Sequence, residues 1–325
     1  MHVLARALRY LGHTVEFETP RRHLPVFTAE RLIFNRSLRP SDDYDLTIGF
    51  DMDGYRIARS PSHIAALKGV IADEVRFESG MTRLTMSIQA RCEWLHVHRA
   101  ARVLVTSRYS ALRAQQLYGL KESPTIVPEL IDLAEWRRLL AQHPATSTRF
   151  TVLFAGRQYP RKRVNVLIEA AAALRDRIPD LEVRIVGNGP SAAPWRRLAR
   201  SLDAPVSWLG DVPRSQLIEE YNRADLFCLP SVQEGFGIVL LEAMAAGKPI
   251  VASRAAAIPE VAPHAALVEP ESAEALASAI ERLYRSPEER AAIARKGAQW
   301  VARFDAANVA RMFVEAASGA ICTSA

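Results

Sequence analysis

Two glutamates eight residues apart, Glu234 and Glu242, stand in the segment running from Ser231 to Pro249. The stretch Glu234-Gly235-Phe236-Gly237 brings two glycines together, so a backbone there can approach a ligand closely. Ile238 to Ala246 then reads as a helix stopped by Gly247, and its first turn offers free N–H groups and a positive dipole end suited to phosphate. A carboxylate is an acceptor-only group that can take two hydrogen bonds from vicinal hydroxyls, so this segment suits a ligand carrying both phosphate and sugar. A second set follows the apolar run Thr151 to Ala155: Gly156-Arg157, then Pro160-Arg161-Lys162-Arg163. Fixed cations such as Arg157 and Lys162 can stabilise the negative charge that develops on a departing diphosphate without a metal ion. Gly187 and Gly189 after Val186, and Val212 after Leu209-Gly210-Asp211, add turns that can line the same ligand. Singly, each feature has an ordinary structural reading, because glutamates near helix starts, solvated basic loops and glycines after strands are common.

The elements that must position these residues are legible as an alternation. In the second half the spacing predicts strands at Thr151 to Ala155, Leu181 to Val186, Val206 to Leu209, Leu226 to Leu229, Pro249 to Ala252 and Ala266 to Val268. Helices are predicted at Val164 to Arg177, Ala193 to Asp203, Ser215 to Arg223, Ile238 to Ala246 and Ala273 to Arg285. Strands separated by such helices imply a doubly wound parallel sheet with ligands at the C-terminal strand ends. The first half is less regular, with strands predicted at Thr14 to Phe17, Leu46 to Phe50, Ile64 to Ala66, Val103 to Thr106 and Thr125 to Val127, and a helix from about Thr85 to His98. A polar, proline-containing stretch from Gln142 to Thr148 places the join there. Two Rossmann-like α/β domains are therefore expected, residues 1–147 and 148–325, with a last helix at about 300–318 returning to the first.

Composition bounds the reading. A chain of 325 residues with 49% hydrophobic and 24% charged residues is expected to be globular, and no run of about 18 uncharged apolar residues suggests a membrane span. Cys92, Cys228 and Cys322 are odd in number and widely spaced, which points to neither a disulfide framework nor a zinc site. The opening residues, with Arg6 and Arg9 among apolar neighbours, lack a leader pattern, so a cytoplasmic location is expected. Residues 1–149 hold 21 Lys and Arg against 16 Asp and Glu, a net +5 of the chain's +6. That excess could draw the first domain to an anionic acceptor or to the cytoplasmic face of a membrane. A nucleic-acid role finds no aromatic and basic interleaving and no known motif.

From Val152 to Pro249 the sequence resembles the family 4 (group 1) glycosyltransferases of the GT-B fold, through Gly156-Arg157, Lys162, the Glu234-Gly235-Phe236-Gly237 start, the Leu240-Leu241-Glu242-Ala243-Met244-Ala245 helix and the Gly247-Lys248-Pro249 exit. The resemblance implies two Rossmann-like domains facing a central cleft and a retaining hexosyltransferase of polysaccharide or glycolipid biosynthesis. It implies a nucleoside diphosphate sugar as donor, a sugar or lipid-linked acceptor, and neither metal nor cofactor. It assigns Arg157, Lys162 and Glu234 to catalysis, Glu234 to the donor sugar and Glu242 to the nucleotide ribose. Gly156, Gly187, Val212, Gly235, Phe236, Gly237 and Ile238 become donor-lining positions. Arg163 stands where the family usually has glycine, and three alanines precede Ile258-Pro259-Glu260-Val261 where it often has glycines. The first half resembles the acceptor domain more loosely, lacking the family's first strand and glycine-rich loop, and His63 cannot be matched to the family's strand-end histidine.

Lys68 and Asp73 are the candidate acceptor-side residues, although Asp73, Glu74 and Glu78 also fit a solvated acidic edge. Asp51-Met52-Asp53 has the form of a metal-binding pair of carboxylates, but it lies far in sequence from the diphosphate features and suits a polar turn. Two further readings share the double fold: a sugar-nucleotide epimerase, and a non-catalytic nucleotide-sugar-binding protein.

Overall fold

The computed structural model describes residues 1–21, 23–41 and 43–321; Cys322 lies outside them. The chain forms two compact units, Met1–Leu130 together with the stretch from Ala306, and Ile131–Asp305.

The first unit opens with helices α1 (His2–Tyr10) and α2 (Phe27–Ser37). A four-stranded parallel sheet follows in the order β1 (Thr47–Phe50), β2 (His63–Leu67), β3 (Arg102–Val105), β4 (Thr125–Ile126). Helices α3 (Ile71–Glu74), α4 (Gly80–Arg99) and α5 (Arg108–Tyr118) occupy the crossovers. Alternation along the strands feeds two cores, as a pleat requires. Ile64, Ala66 and Leu104 join Leu8 of α1 with Val309, Ala310 and Phe313 of the last helix. Ala65, Leu67 and Val105 face the other way, onto Val97, Ala111, Ala114 and Tyr118.

Three expectations are corrected here. Thr14 to Phe17 is not a strand; it runs as irregular chain, with Arg9 Nη2 donating to the Val15 carbonyl at 2.5 Å. The acidic edge is not solvated, because Asp73 and Glu78 are buried. Asp73 accepts from Tyr109 Oη at 2.6 Å and Arg113 Nε at 2.9 Å and pairs with Arg76, so it ties the crossover after β2 to α5. The division of the chain lies at Leu130 and Ile131, not at 147 and 148, because α6 (Leu133–Gln142) belongs to the second unit. Asp132 caps that helix through Glu135 N, Trp136 packs edge-on against Tyr221, and Asn222 Nδ2 bonds the carbonyls of Leu140 and His143 at 2.8 Å.

His63 begins β2, at the strand end opposite Lys68, in a chain of hydrogen bonds that fixes its tautomer. The Asp51 carbonyl can only accept, so His96 Nδ1 donates to it at 2.7 Å. His96 Nε2 then accepts from His63 Nε2 at 2.8 Å, and His63 Nδ1 accepts from Thr47 Oγ1 at 2.8 Å. Both rings are neutral, since burial pushes His63 down to about 3 and His96 to about 4. This pair is a core connection.

In the second unit a six-stranded parallel sheet has the order β10, β9, β8, β5, β6, β7. The strands are β5 (Phe150–Ala155), β6 (Leu181–Val186), β7 (Val206–Gly210), β8 (Leu226–Leu229), β9 (Ile250–Ser253) and β10 (Ala266–Val268). The helices are α7 (Val164–Leu174), α8 (Ala192–Ser201), α9 (Arg214–Arg223), α10 (Ile238–Ala245), α11 (Ile258–Val261), α12 (Ala273–Arg285) and α13 (Pro287–Trp300); α14 (Ala306–Ile321) returns to the first unit. Every residue of β5, β8 and β9 is buried, the pattern of a parallel sheet covered on both faces. Helix α7 packs on α8 and α12, while α10 packs on α6 and α13. Strand order reverses between β5 and β8, which makes the space above their C-terminal ends the ligand crevice of an open α/β sheet.

Candidate functional site

The loops that leave β5 and β8 on either side of this reversal are the two loops that carry the candidate residues. They are stitched together twice. Val232 N donates to the Arg161 carbonyl at 2.9 Å, and Lys162 Nζ donates to Glu234 Oε1 at 2.6 Å. The ion pair is nearly buried, with side-chain exposures of 13% and 7%. Burial alone pushes the Glu234 carboxyl up, but the charges of Lys162 and Arg161 outweigh it and hold the group below its ordinary range. Lys162 has three donor hydrogens, of which Glu234 takes one. Arg157 is exposed, with its guanidinium 5.6 Å from the centre of the Tyr159 ring.

Gly237 caps α10 in a left-handed conformation, φ 90°, so the chain turns sharply and leaves the first N–H groups of the helix open. Phe236 is buried against Phe304, and Ile238 is 45% exposed at the helix start. Glu242 lies farther along α10, where Tyr221 Oη donates to its Oε2 at 2.8 Å. Burial raises the Glu242 carboxyl to about 7, while the Tyr221 hydrogen bond and the Arg214 charge pull the other way.

Two backbone turns complete the wall. Gly187 has φ 103°, and a Cβ there would lie 2.2 Å from the Gly156 carbonyl oxygen, so only glycine lets the β5 and β6 turns touch. Gln158, a residue not singled out in the sequence, holds that contact: its N–H donates to the Asn188 carbonyl and its Nε2 to the Gly187 carbonyl. Val212 leaves the turn after β7, half-buried and just ahead of α9. Of the residues standing where the family has glycine, Arg163 and the middle one of the three alanines keep a left-handed backbone. Arg163 has φ 48° and Ala256 φ 50°. Arg163 is held by hydrogen bonds to Glu271 at 2.8 Å and to the Pro160 carbonyl at 3.0 Å, which offset a left-handed cost of about 1–2 kcal/mol.

Arg157, Lys162, Glu234, Gly156, Gly187, Gly235, Phe236 and Gly237 thus lie on the segments that follow the strand ends, with Ile238 at the start of α10 and Glu242 farther along it. In the first unit, Lys68 lies just past β2 and pairs with Glu129 at 2.8 Å, while Asp73 is enclosed. Asp51 and Asp53 have separate partners: Asp51 Oδ1 accepts from Lys68 N, and Asp53 binds Arg31 and Asn35. Tyr221 carried no sequence signal, because its contact with Glu242 crosses from α9 to α10.

A profile of the group 1 glycosyl transferases matches residues 137–300, half of the chain, and covers both crevice loops. The chain belongs to this family. This group 1 glycosyltransferase is 35% identical over 175 residues to D-inositol 3-phosphate glycosyltransferase of Corynebacterium urealyticum, covering 50% of the chain and 41% of that protein. It is 29% identical over 216 residues to GDP-mannose-dependent alpha-(1-6)-phosphatidylinositol monomannoside mannosyltransferase of Mycolicibacterium smegmatis, covering 61% of the chain and 56% of that protein. The match therefore spans about half the length of these relatives. Among solved structures, WaaG, a glycosyltransferase involved in lipopolysaccharide biosynthesis, superposes with a TM-score of 0.73 at 19% identity, over 98% of this chain and 95% of that one. That likeness shows the GT-B fold.

The Gly187 contact generates a direct test. Gly187→Ala combines a disfavoured φ with a collision against backbone, so it is expected to lower stability by at least about 2 kcal/mol in chemical denaturation. Unchanged stability would show that the β5 and β6 turns do not meet as described.

Proposed function

We propose that this chain transfers a hexose from a nucleoside diphosphate sugar to a saccharide, inositol or lipid-linked acceptor, with retention of anomeric configuration, as the family 4 resemblance implies. The observation that carries this reading is the Lys162–Glu234 pair spanning the strand reversal beside the open start of α10. In this reading Lys162, Arg157 and the N–H groups of that helix bind the diphosphate, and they act on charge that grows as the bond to the anomeric carbon breaks. The acceptor hydroxyl oxygen bonds to that carbon on the face the phosphate leaves, and its proton passes to a departing phosphate oxygen. Glu234 accepts from donor sugar hydroxyls and Glu242 from the ribose diol. The protein side chains supply the positive charge, so a chelator leaves donor binding unchanged. The relatives' inositol-containing acceptors support the acceptor class.

Thermal unfolding against UDP, GDP and ADP sugars tests the donor site without an acceptor. One nucleotide class is expected to stabilise the fold by about 2.7 kcal/mol at a hundredfold excess over its dissociation constant. The gain should survive chelator and largely vanish in Glu242→Ala. No gain with any nucleotide sugar overturns the reading, and a gain without transfer to any acceptor leaves the non-catalytic binder.

We further read the first unit as the one that meets an anionic membrane face. Met81, Leu84 and Ile88 form an exposed stripe on α4 at helical spacing, and Phe27 is exposed at the start of α2, which Gln89 of α4 joins through Thr28 at 2.7 Å. Arg76, Arg83 and Arg91 are exposed along the same segment. Apolar area flanked by arginines suits a surface of acidic lipid better than water. The chain is expected to sediment with phosphatidylglycerol vesicles, less so in high salt or as Leu84→Glu. Equal sedimentation with phosphatidylcholine vesicles, or none, contradicts this.

A further inference from the structure

Tyr221 lies outside the loops that form the crevice, yet its hydroxyl is the donor that reaches the Glu242 carboxylate, 2.8 Å from Oε2. The ring has no freedom to move away. It is wholly buried, packed edge-on against Trp136 with centroids 5.6 Å apart and stacked on Phe227 at 5.8 Å. Helix α9, which carries Tyr221, is bound through Asn222 to the end of α6, so the hydroxyl is fixed with respect to two helices before any ligand arrives. Among the described residues no donor reaches Glu242 Oε1. With Oε2 engaged, Oε1 and the second lone pair of Oε2 are the acceptors left for a ligand diol.

We propose that Tyr221 is the positioning residue of the donor site: its hydroxyl holds the Glu242 carboxylate in the orientation that accepts the ribose hydroxyls. This rests on the ribose role given to Glu242 above. Two consequences follow from the surroundings of that carboxylate. Its own helix carries no other charged side chain, and the polar groups acting on it come from α9: the Tyr221 hydroxyl and the Arg214 guanidinium, which is itself 3.4 Å from Glu135 of α6. Burial raises the carboxyl to about 7, and burial together with the carboxylate raises the Tyr221 phenol well above its ordinary value, so the phenol stays a donor throughout. A carboxylate accepts both ribose hydroxyls, whereas the protonated acid turns one oxygen into a donor. Donor affinity is therefore full above neutrality and falls as pH drops through about 7. Removing the hydroxyl takes away a bond that favours the charged form, which moves that fall to higher pH.

The test measures UDP and GDP affinity by calorimetry from pH 5.5 to 9, on the unaltered chain, Tyr221→Phe, Glu242→Gln and the double variant. Tyr221→Phe keeps the ring and its packing, and its unfolding temperature without ligand reports separately on the fold. The expected result is an affinity midpoint near 7 in the unaltered chain, displaced upward by about one pH unit in Tyr221→Phe, the size expected for a hydrogen bond to a charged group. Glu242→Gln should bind weakly with no midpoint, and adding Tyr221→Phe to it should change affinity by less than about twofold, because a shared interaction cannot be lost twice. If Glu242→Gln behaves in this way but Tyr221→Phe follows the unaltered profile, the positioning role is overturned and the ribose role stands. If Glu242→Gln binds as tightly as the unaltered chain, or the unaltered chain binds neither nucleotide, the ribose reading fails and the proposal with it.

Discussion

A lysine and a glutamate removed from water, 2.6 Å apart, hold the crevice of the second unit in shape. An ion pair in such a place is a poor source of stability, because taking both charges out of water costs several kcal/mol and their attraction only offsets it. Its effect is geometric. Lys162 comes from the loop after β5 and Glu234 from the loop after β8, two strands that are neighbours in the sheet but whose successors run to opposite edges. Joining them sets the width of the gap between the strand ends, and the adjacent Val232 to Arg161 backbone bond fixes it a second time. A phosphate entering the gap meets a cation whose partner already restrains it, so little ordering remains to be done on binding.

Everything beneath this pair serves to keep it still. Strands β5 and β8, from which the two loops rise, are buried along their whole length, so the loops stand on a closely packed base. The turns above them are chosen by contact. Gly187 is required by the Gly156 carbonyl, while Arg163 and Ala256 hold left-handed backbone without being glycines. The conformation of those turns is thus set by the surrounding loops, and residue type follows where no side chain fits. Glu242 is reached from behind by Tyr221, which links the α10 side of the crevice to the packing of α6 and α9.

What the sequence disclosed follows from how local each feature is. Strands β5, β8 and β9 are legible because parallel strands covered on both faces appear as short apolar runs, and the crevice loops because their glycines and charges lie within a few residues of one another. Thr14 to Phe17 looked like a strand by residue type, but strand formation needs a partner, and it pairs with no strand among the described residues. Asp73 looked like part of an exposed acidic edge because its partners, Tyr109 and Arg113, lie 36 and 40 residues further on. The division between units was misplaced for the same reason: the polar stretch near Gln142 looks like a linker, whereas the contacts that assign α6 run from Trp136 to Tyr221 and from Leu133 N to Asp305. Tyr221 was invisible as a site residue, since nothing in its own helix marks it.

In the proposed function Lys162, already engaged by Glu234, faces a diphosphate. Calorimetric comparison of nucleoside diphosphate with nucleoside monophosphate, on the unaltered chain and on Lys162→Gln, isolates that contact, because glutamine keeps a donor group but carries no charge. The diphosphate should be preferred by about tenfold or more in the unaltered chain, the scale of one charge-assisted hydrogen bond, and the preference should nearly disappear in the variant. Equal affinity for both nucleotides in the unaltered chain, or a preference that survives Lys162→Gln intact, would contradict it.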